Sequence, residues 1–165
     1  EKQIAIEGNF LPVQEFITPQ GNLGITIPQS IDAPPVEFVL QTTDVQGQSI
    51  PVSDDGIIRA VKGQTIKVEG DGLAPGTEFS AWLFSDPIKL GEGKVSGDSS
   101  FEKVFIIPDG LNTGEHTLQI NGMSADKKVV SLTTGVIVSE VKRIQTVSDS
   151  KTDLIGYGIL IIFMT

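Results

Sequence analysis

The sequence has no cysteine, one histidine, and twelve lysines and arginines against twenty-one aspartates and glutamates. The first absence excludes disulfides, thiolate zinc sites, iron–sulfur clusters and thiol catalysis. It does not exclude secretion, because 165 residues are enough for a self-sufficient core. A single histidine removes most His-based metal and acid–base sets. The net charge of −9 argues against a nucleic-acid partner, since neutralising phosphates needs clustered lysine and arginine. Aromatic residues are sparse at 6%, with one tryptophan and one tyrosine, which weighs against a broad stacking platform. No basic and apolar leader stands at the start, and Glu1 is not an initiator, so the expectation is a chain that begins after a processing site or boundary.

What the chain has in quantity is glycine, eighteen residues, together with nine prolines, so strands and turns should dominate over helices. Residues 1–50 read as an extended segment with short strands at Ile4–Ile6, Gly24–Ile27 and Val36–Leu40. Pro12, Pro19, Pro28, Pro34 and Pro35 interrupt them, and proline belongs at strand ends, edges or bulges. From about Pro51 the spacing becomes regular. Ile57–Val61 reads as a strand, Lys62-Gly63 as a tight turn, and Thr65–Glu69 as a clean alternation with Ile66 and Val68 inward. Thr77–Ser85, Ile88–Val95, Phe101–Ile107, His116–Asn121 and Lys128–Val138 complete about seven strands. In the Trp82 strand both faces are apolar, so alternation alone leaves open whether Trp82 and Phe84 or Phe79, Ala81 and Leu83 face inward.

Four motifs carry a family resemblance: GDGLAPGT before the Trp82 strand, WLFSDP within and after it, SFEKVFIIP, and GEHTLQING. On these, residues 53–139 resemble a bacterial immunoglobulin-like domain of secreted and wall-associated proteins. The resemblance implies a sandwich scaffold that serves as spacer, stalk or adhesive module alike, and it specifies no chemistry. One strand departs from the pattern. Phe101, Lys103, Phe105 and Ile107 share one face, so either Lys103 snorkels past the sheet rim or a bulge shifts the register. Val104 and Ile106 then point outward as a candidate interface for a protein partner or a neighbouring copy.

The segment 141–153 reads as a linker ending in the polar run SDSKTD, and 154–165 as the start of a transmembrane helix. The candidate anchor residues are Leu154, Ile155, Tyr157, Ile159, Leu160, Ile161, Ile162 and Phe163. The run is shorter than the roughly 20 residues a span needs, so a buried interface segment and a lipid-facing segment that stops short of spanning are the rival readings.

Chemistry is thin. His116 shares its strand face with Leu118 and Ile120 and is expected to fill the end of the core or to hydrogen-bond a nearby loop. Trp82 is expected between the sheets. Asp54, Asp55, Asp71, Asp86, Asp98 and Asp109 fall in turns, which raises calcium without any D-x-D-x-D-G motif to support it. Asx turns explain aspartate there equally well. No P-loop and no paired carboxylates of a glycosidase stand out.

The resulting expectation is an all-β protein: an immunoglobulin-like antiparallel β-sandwich over 51–140, an extended N-terminal segment over 1–50, and a C-terminal apolar helix. Its function is expected to be non-enzymatic and cofactor-free: an extracytoplasmic cell-surface module that spaces or docks and is membrane-anchored at its C-terminus. Two alternatives stand beside it. One is an accessory subunit of a membrane-embedded complex. The other is an adhesin or carbohydrate-binding module, which requires an exposed aromatic platform.

Overall fold

A computed structural model describes residues 3–6, 9–11, 13–28, 34–85 and 87–141. Period-2 alternation of apolar and polar residues, broken every few residues by Gly, Pro, Asn or Asp, leaves no helix among them and thirteen strands. The first fifty residues supply β1 (Gln3–Ile6), β2 (Asn9–Leu11), β3 (Gln14–Ile17), β4 (Leu23–Ile27), β5 (Val36–Thr43) and β6 (Ser49–Ile50). Then follow β7 (Ile58–Val61), β8 (Thr65–Asp71), β9 (Glu78–Phe84), β10 (Ile88–Lys94), β11 (Phe101–Ile106), β12 (Gly114–Met123) and β13 (Val129–Ser139). They form a β-sandwich of two sheets. The larger runs β10-β9-β12-β13-β1-β2, with β7 also on β13, and the smaller runs β11-β8-β5-β4-β3, with β6 on β5. All pairings are antiparallel except β7 with β13.

Residues 1–50 add six strands to the seven expected over residues 51–140, which are β7–β13. They place strands in both sheets, and Ile25, Ile27, Phe38 and Leu40 from them are fully buried in the core. The prolines that obscured this lie between the strands: Pro19 in a turn, Pro28 just after β4, and Pro34 and Pro35 just before β5. The smaller sheet owes its middle to this segment, with β5 hydrogen-bonded between β4 and β8. At the edge, the ring of Phe16 on β3 lies across Gly24 on β4, so close that a Cβ there would sit 2.3 Å from the ring. An aromatic ring thus replaces the side chain that the glycine lacks.

The two sheets meet through an aromatic cluster. Phe79 of β9 packs on Phe101 of β11 at 5.1 Å and on Phe105 at 6.4 Å, and Phe101 reaches Phe38 of β5 at 5.4 Å. Glycines make the room: Gly70 lies opposite both Phe38 and Phe101, and Gly93 lies opposite Phe79.

The irregular strand of the sequence is β11. Its pairing with β8 runs unbroken from Phe101↔Gly70 to Ile106↔Thr65, so no bulge is present. Lys103 has the parity of Phe101 and Phe105 yet is exposed. Its Cβ packs 3.1 Å from where a Cβ on Gly93 would be, at the edge where β10 faces β11, so the base of the stem lies at that seam while the residue as a whole stays exposed. Snorkelling, not a register shift, resolves the inward lysine.

Residues 142–165 lie outside the described residues, and with them the candidate anchor Leu154, Ile155, Tyr157, Ile159, Leu160, Ile161, Ile162 and Phe163. Among the described residues no helix is long and apolar enough to cross a membrane.

Candidate functional site

The orientation of β9 decides which residues can meet a ligand. Phe79, Ala81 and Leu83 are buried, so Ser80, Trp82 and Phe84 stand on the outer face of the larger sheet. Trp82 is therefore not the inter-sheet residue expected from its solitary status. Nor is it alone: its ring stacks beside that of Phe84, centroids 6.4 Å apart and planes within 23°, and Phe84 is 38% exposed. Lys89 of β10 sits opposite Trp82 with its ammonium 5.8 Å from the ring centroid, and Glu92 holds that ammonium at 2.8 Å. A cation over an aromatic face is attracted by the ring quadrupole.

Strand pairing surrounds these rings with polar side chains. Gln119 lies opposite Trp82 and Thr117 opposite Phe84 on β12, and Thr133 follows Gln119 on β13. Asn121 lies opposite Ser80, whose Oγ accepts the indole N–H at 3.1 Å, while Ser131 donates to Asn121 Oδ1 at 2.6 Å. The outer face is thus an aromatic pair set in a field of amides and hydroxyls. Sequence alternation could have shown this pair, since Trp82 and Phe84 are two residues apart. What it lacked was the sign of the face.

A cleft of about 610 Å³ opens beside Phe84. It borders β13, where on the edge away from β12 the described residues of β1 pair with Val130–Thr133 and β7 pairs with Val136–Ser139. Among the described residues nothing lies within 4 Å of where a Gly135 Cβ would be. Thr134 is 1% exposed on the inward face of β13 with Val130, Leu132, Val136 and Val138, and among the described residues its hydroxyl has no hydrogen-bond partner.

Two further side chains of the cleft are tied together. His116, 7% exposed, holds Ser85 Oγ at Nδ1 (2.9 Å) and the Asn112 carbonyl oxygen at Nε2 (2.7 Å). A carbonyl only accepts, so Nε2 carries a proton, and in the neutral ring Nδ1 accepts the Ser85 hydroxyl. The expected loop contact of His116 is present, and the serine beside it was not foreseen, because it lies in the turn after β9, 31 residues away.

The far wall, Asp55-Gly56-Ile57, is fixed by Arg59. Its guanidinium pairs with Asp55 at 3.0 Å and donates to Ser53 Oγ at 2.7 Å, while Asp55 Oδ1 also accepts the Ile57 N–H at 3.0 Å. The Arg59 hydrogen bond, then that of Ile57, hold the Asp55 carboxyl below the ordinary aspartate value of 3.8. A lowered carboxylate pKa stabilises the folded wall above the ordinary value, and the contribution fades as pH falls below it. An NMR titration should place the Asp55 midpoint below 3.8, and Arg59→Ala should raise it towards that value. A midpoint insensitive to Arg59→Ala would show that the pair does not hold the wall.

The other singled-out positions stay apart from this region. Val104 and Ile106 are 49% and 64% exposed on the outer face of the smaller sheet, beside the Lys67–Glu69 and Lys67–Glu102 ion pairs. The turn aspartates work locally: Asp71 accepts the Gly72 N–H, and Asp98 accepts both the N–H and the hydroxyl of Ser100. Asp86 is outside the described residues, among which no three His, Cys, Asp or Glu side chains gather as metal ligands.

No protein-family model matches the sequence, and no curated relative matches it. Solved structures do align. An AA10 lytic polysaccharide monooxygenase from Streptomyces lividans aligns over 58% of this chain and 63% of its own, at 14% identity and TM-score 0.41. A cellulose-active polysaccharide monooxygenase from M. thermophila covers 83% and 76%, at 15% and 0.43. The extended catalytic domain of H. jecorina LPMO9A covers 87% and 74%, at 14% and 0.41. The chain thus spans less than two thirds of the first of these. At such identities and scores no activity passes to this chain. The structures that align are polysaccharide monooxygenases, which stands against the expectation of a non-enzymatic structural module.

Proposed function

We propose that this protein is a polysaccharide-binding β-sandwich whose recognition surface is the outer face around Trp82 and Phe84. One observation carries the reading: the near-parallel stacked pair of rings, with Lys89, Gln119, Asn121 and Thr117 around it. A pyranose ring has C–H faces that bury well on an aromatic plane and equatorial hydroxyls that need donors and acceptors at the rim. This face offers both in the proportion usual for small-molecule sites, a large apolar contact with few oriented polar groups. The acidic surface favours neutral or cationic polysaccharides over anionic ones. Such a ligand places the protein outside the cytoplasm.

The protein contains its own reporter, because Trp82 is the sole tryptophan. Titration with soluble cellulose, chitin, xylan and mannan oligosaccharides should shift Trp82 fluorescence for at least one of them. Trp82→Ala, followed by calorimetry, should weaken that binding about tenfold or more, the scale of an aromatic anchor. Silence across the panel, or unchanged affinity in Trp82→Ala, would sink the reading.

A further inference from the structure

The geometry points to an acyl-transfer site at Ser85, in the cleft beside the aromatic face. Two observations meet there. Ser85 is exposed at the mouth of the cleft, and its Oγ lies 2.9 Å from His116 Nδ1. The other ring nitrogen is oriented by the Asn112 carbonyl at 2.7 Å. A nucleophile within hydrogen-bond reach of a base, with the base aimed by a third group, is the arrangement that activates a serine hydroxyl.

The local hydrogen bonding serves both protonation states of the base. When Nδ1 accepts, the Ser85 hydroxyl donates to it; when Nδ1 carries a proton, that hydroxyl can turn to the Phe84 carbonyl oxygen at 3.0 Å. The imidazole can therefore gain and lose a proton without leaving a buried polar group unpaired.

The substrate class is a small carboxylic ester that is not anionic, because Glu115 lines the cleft beside Ser85 and His116. Ser85 Oγ attacks the ester carbonyl carbon as its proton passes to His116 Nδ1. The C–O bond to the leaving alcohol then breaks, and that alcohol takes the proton from Nδ1. Water attacks the acyl-serine, giving its proton to Nδ1. The acyl carbon leaves as the carboxylic acid, and Ser85 Oγ recovers its proton. No oxidant, reductant or metal enters.

Treating the whole chain with an alkyl fluorophosphonate tests this directly, read by intact mass and peptide mapping. A single adduct on Ser85 is expected, absent in Ser85→Ala. His116→Gln should slow labelling about a hundredfold, the scale of a general base. Circular dichroism shows which variants are folded, and the native chain alone gives the decisive result if His116→Gln does not fold. No adduct on the folded native protein, equal labelling of other serines, or an unslowed folded His116→Gln would each overturn the proposal. Labelling requires no polysaccharide, so this site and the glycan face can fail separately.

Discussion

Replacing Phe79 with alanine is expected to cost about 3–5 kcal/mol of stability, the usual toll for emptying a buried phenylalanine site. The reason is position as much as size. Phe79 is 1% exposed, and it belongs to β9 of the larger sheet while its contacts at 5.1 and 6.4 Å are Phe101 and Phe105 of the smaller. It is one of the side chains through which the two layers hold each other. A domain of this kind has about 5–15 kcal/mol in all, so the loss is a large share of the total. The void would be hard to close, because Gly93 lies directly opposite Phe79 and has no side chain to move in. Urea unfolding followed by circular dichroism measures the loss. Ile106→Ala provides the contrast, since Ile106 is 64% exposed and should change stability by less than about 0.5 kcal/mol. Equal effects from the two substitutions would mean that the aromatic cluster does not join the sheets.

The second large effect comes from adding one carbon. Gly70→Ala is expected to cost about 3 kcal/mol, at the upper end of overpacking penalties. A Cβ at Gly70 would lie 1.9 Å from the Glu37 carbonyl oxygen and 2.6 Å from the Phe101 ring. The oxygen belongs to the backbone of β5, which is hydrogen-bonded into the sheet and cannot step aside. Phe101 cannot yield either, because it is wedged between Phe38 and Phe79. The comparison variant is Gly97→Ala, where nothing lies within 4 Å of the new carbon, and its melting temperature should stay near the parent value. A Gly70→Ala protein as stable as Gly97→Ala would refute the close approach of β5, β8 and β11.

These two sites also show where sequence reading reached and where it stopped. The strands β7 to β13 fall on the segments that alternation marked, since period-2 patterning and turn residues are local properties of the chain. Val104 and Ile106 point outward as their parity requires. By contrast, the structural weight of Gly70 is invisible locally, because what it makes room for comes from β5 and β11, far away along the chain. The same is true of residues 1–50, whose prolines looked like interruptions until the strands between them paired with both sheets.

What the sequence by itself determined is the class of structure and a set of exclusions. Alternation, turn chemistry and the lack of cysteine dictate an all-β protein without disulfides or thiol chemistry. Each of these is a matter of composition or of neighbours a few residues apart. Tertiary structure alone decided the rest. It turned Trp82 and Phe84 to the outer face, a choice the sequence left open because both faces of β9 are apolar. It brought Ser85 to His116. Both depend on which strands lie side by side, and that is settled by the burial of a shared core and not by any segment alone.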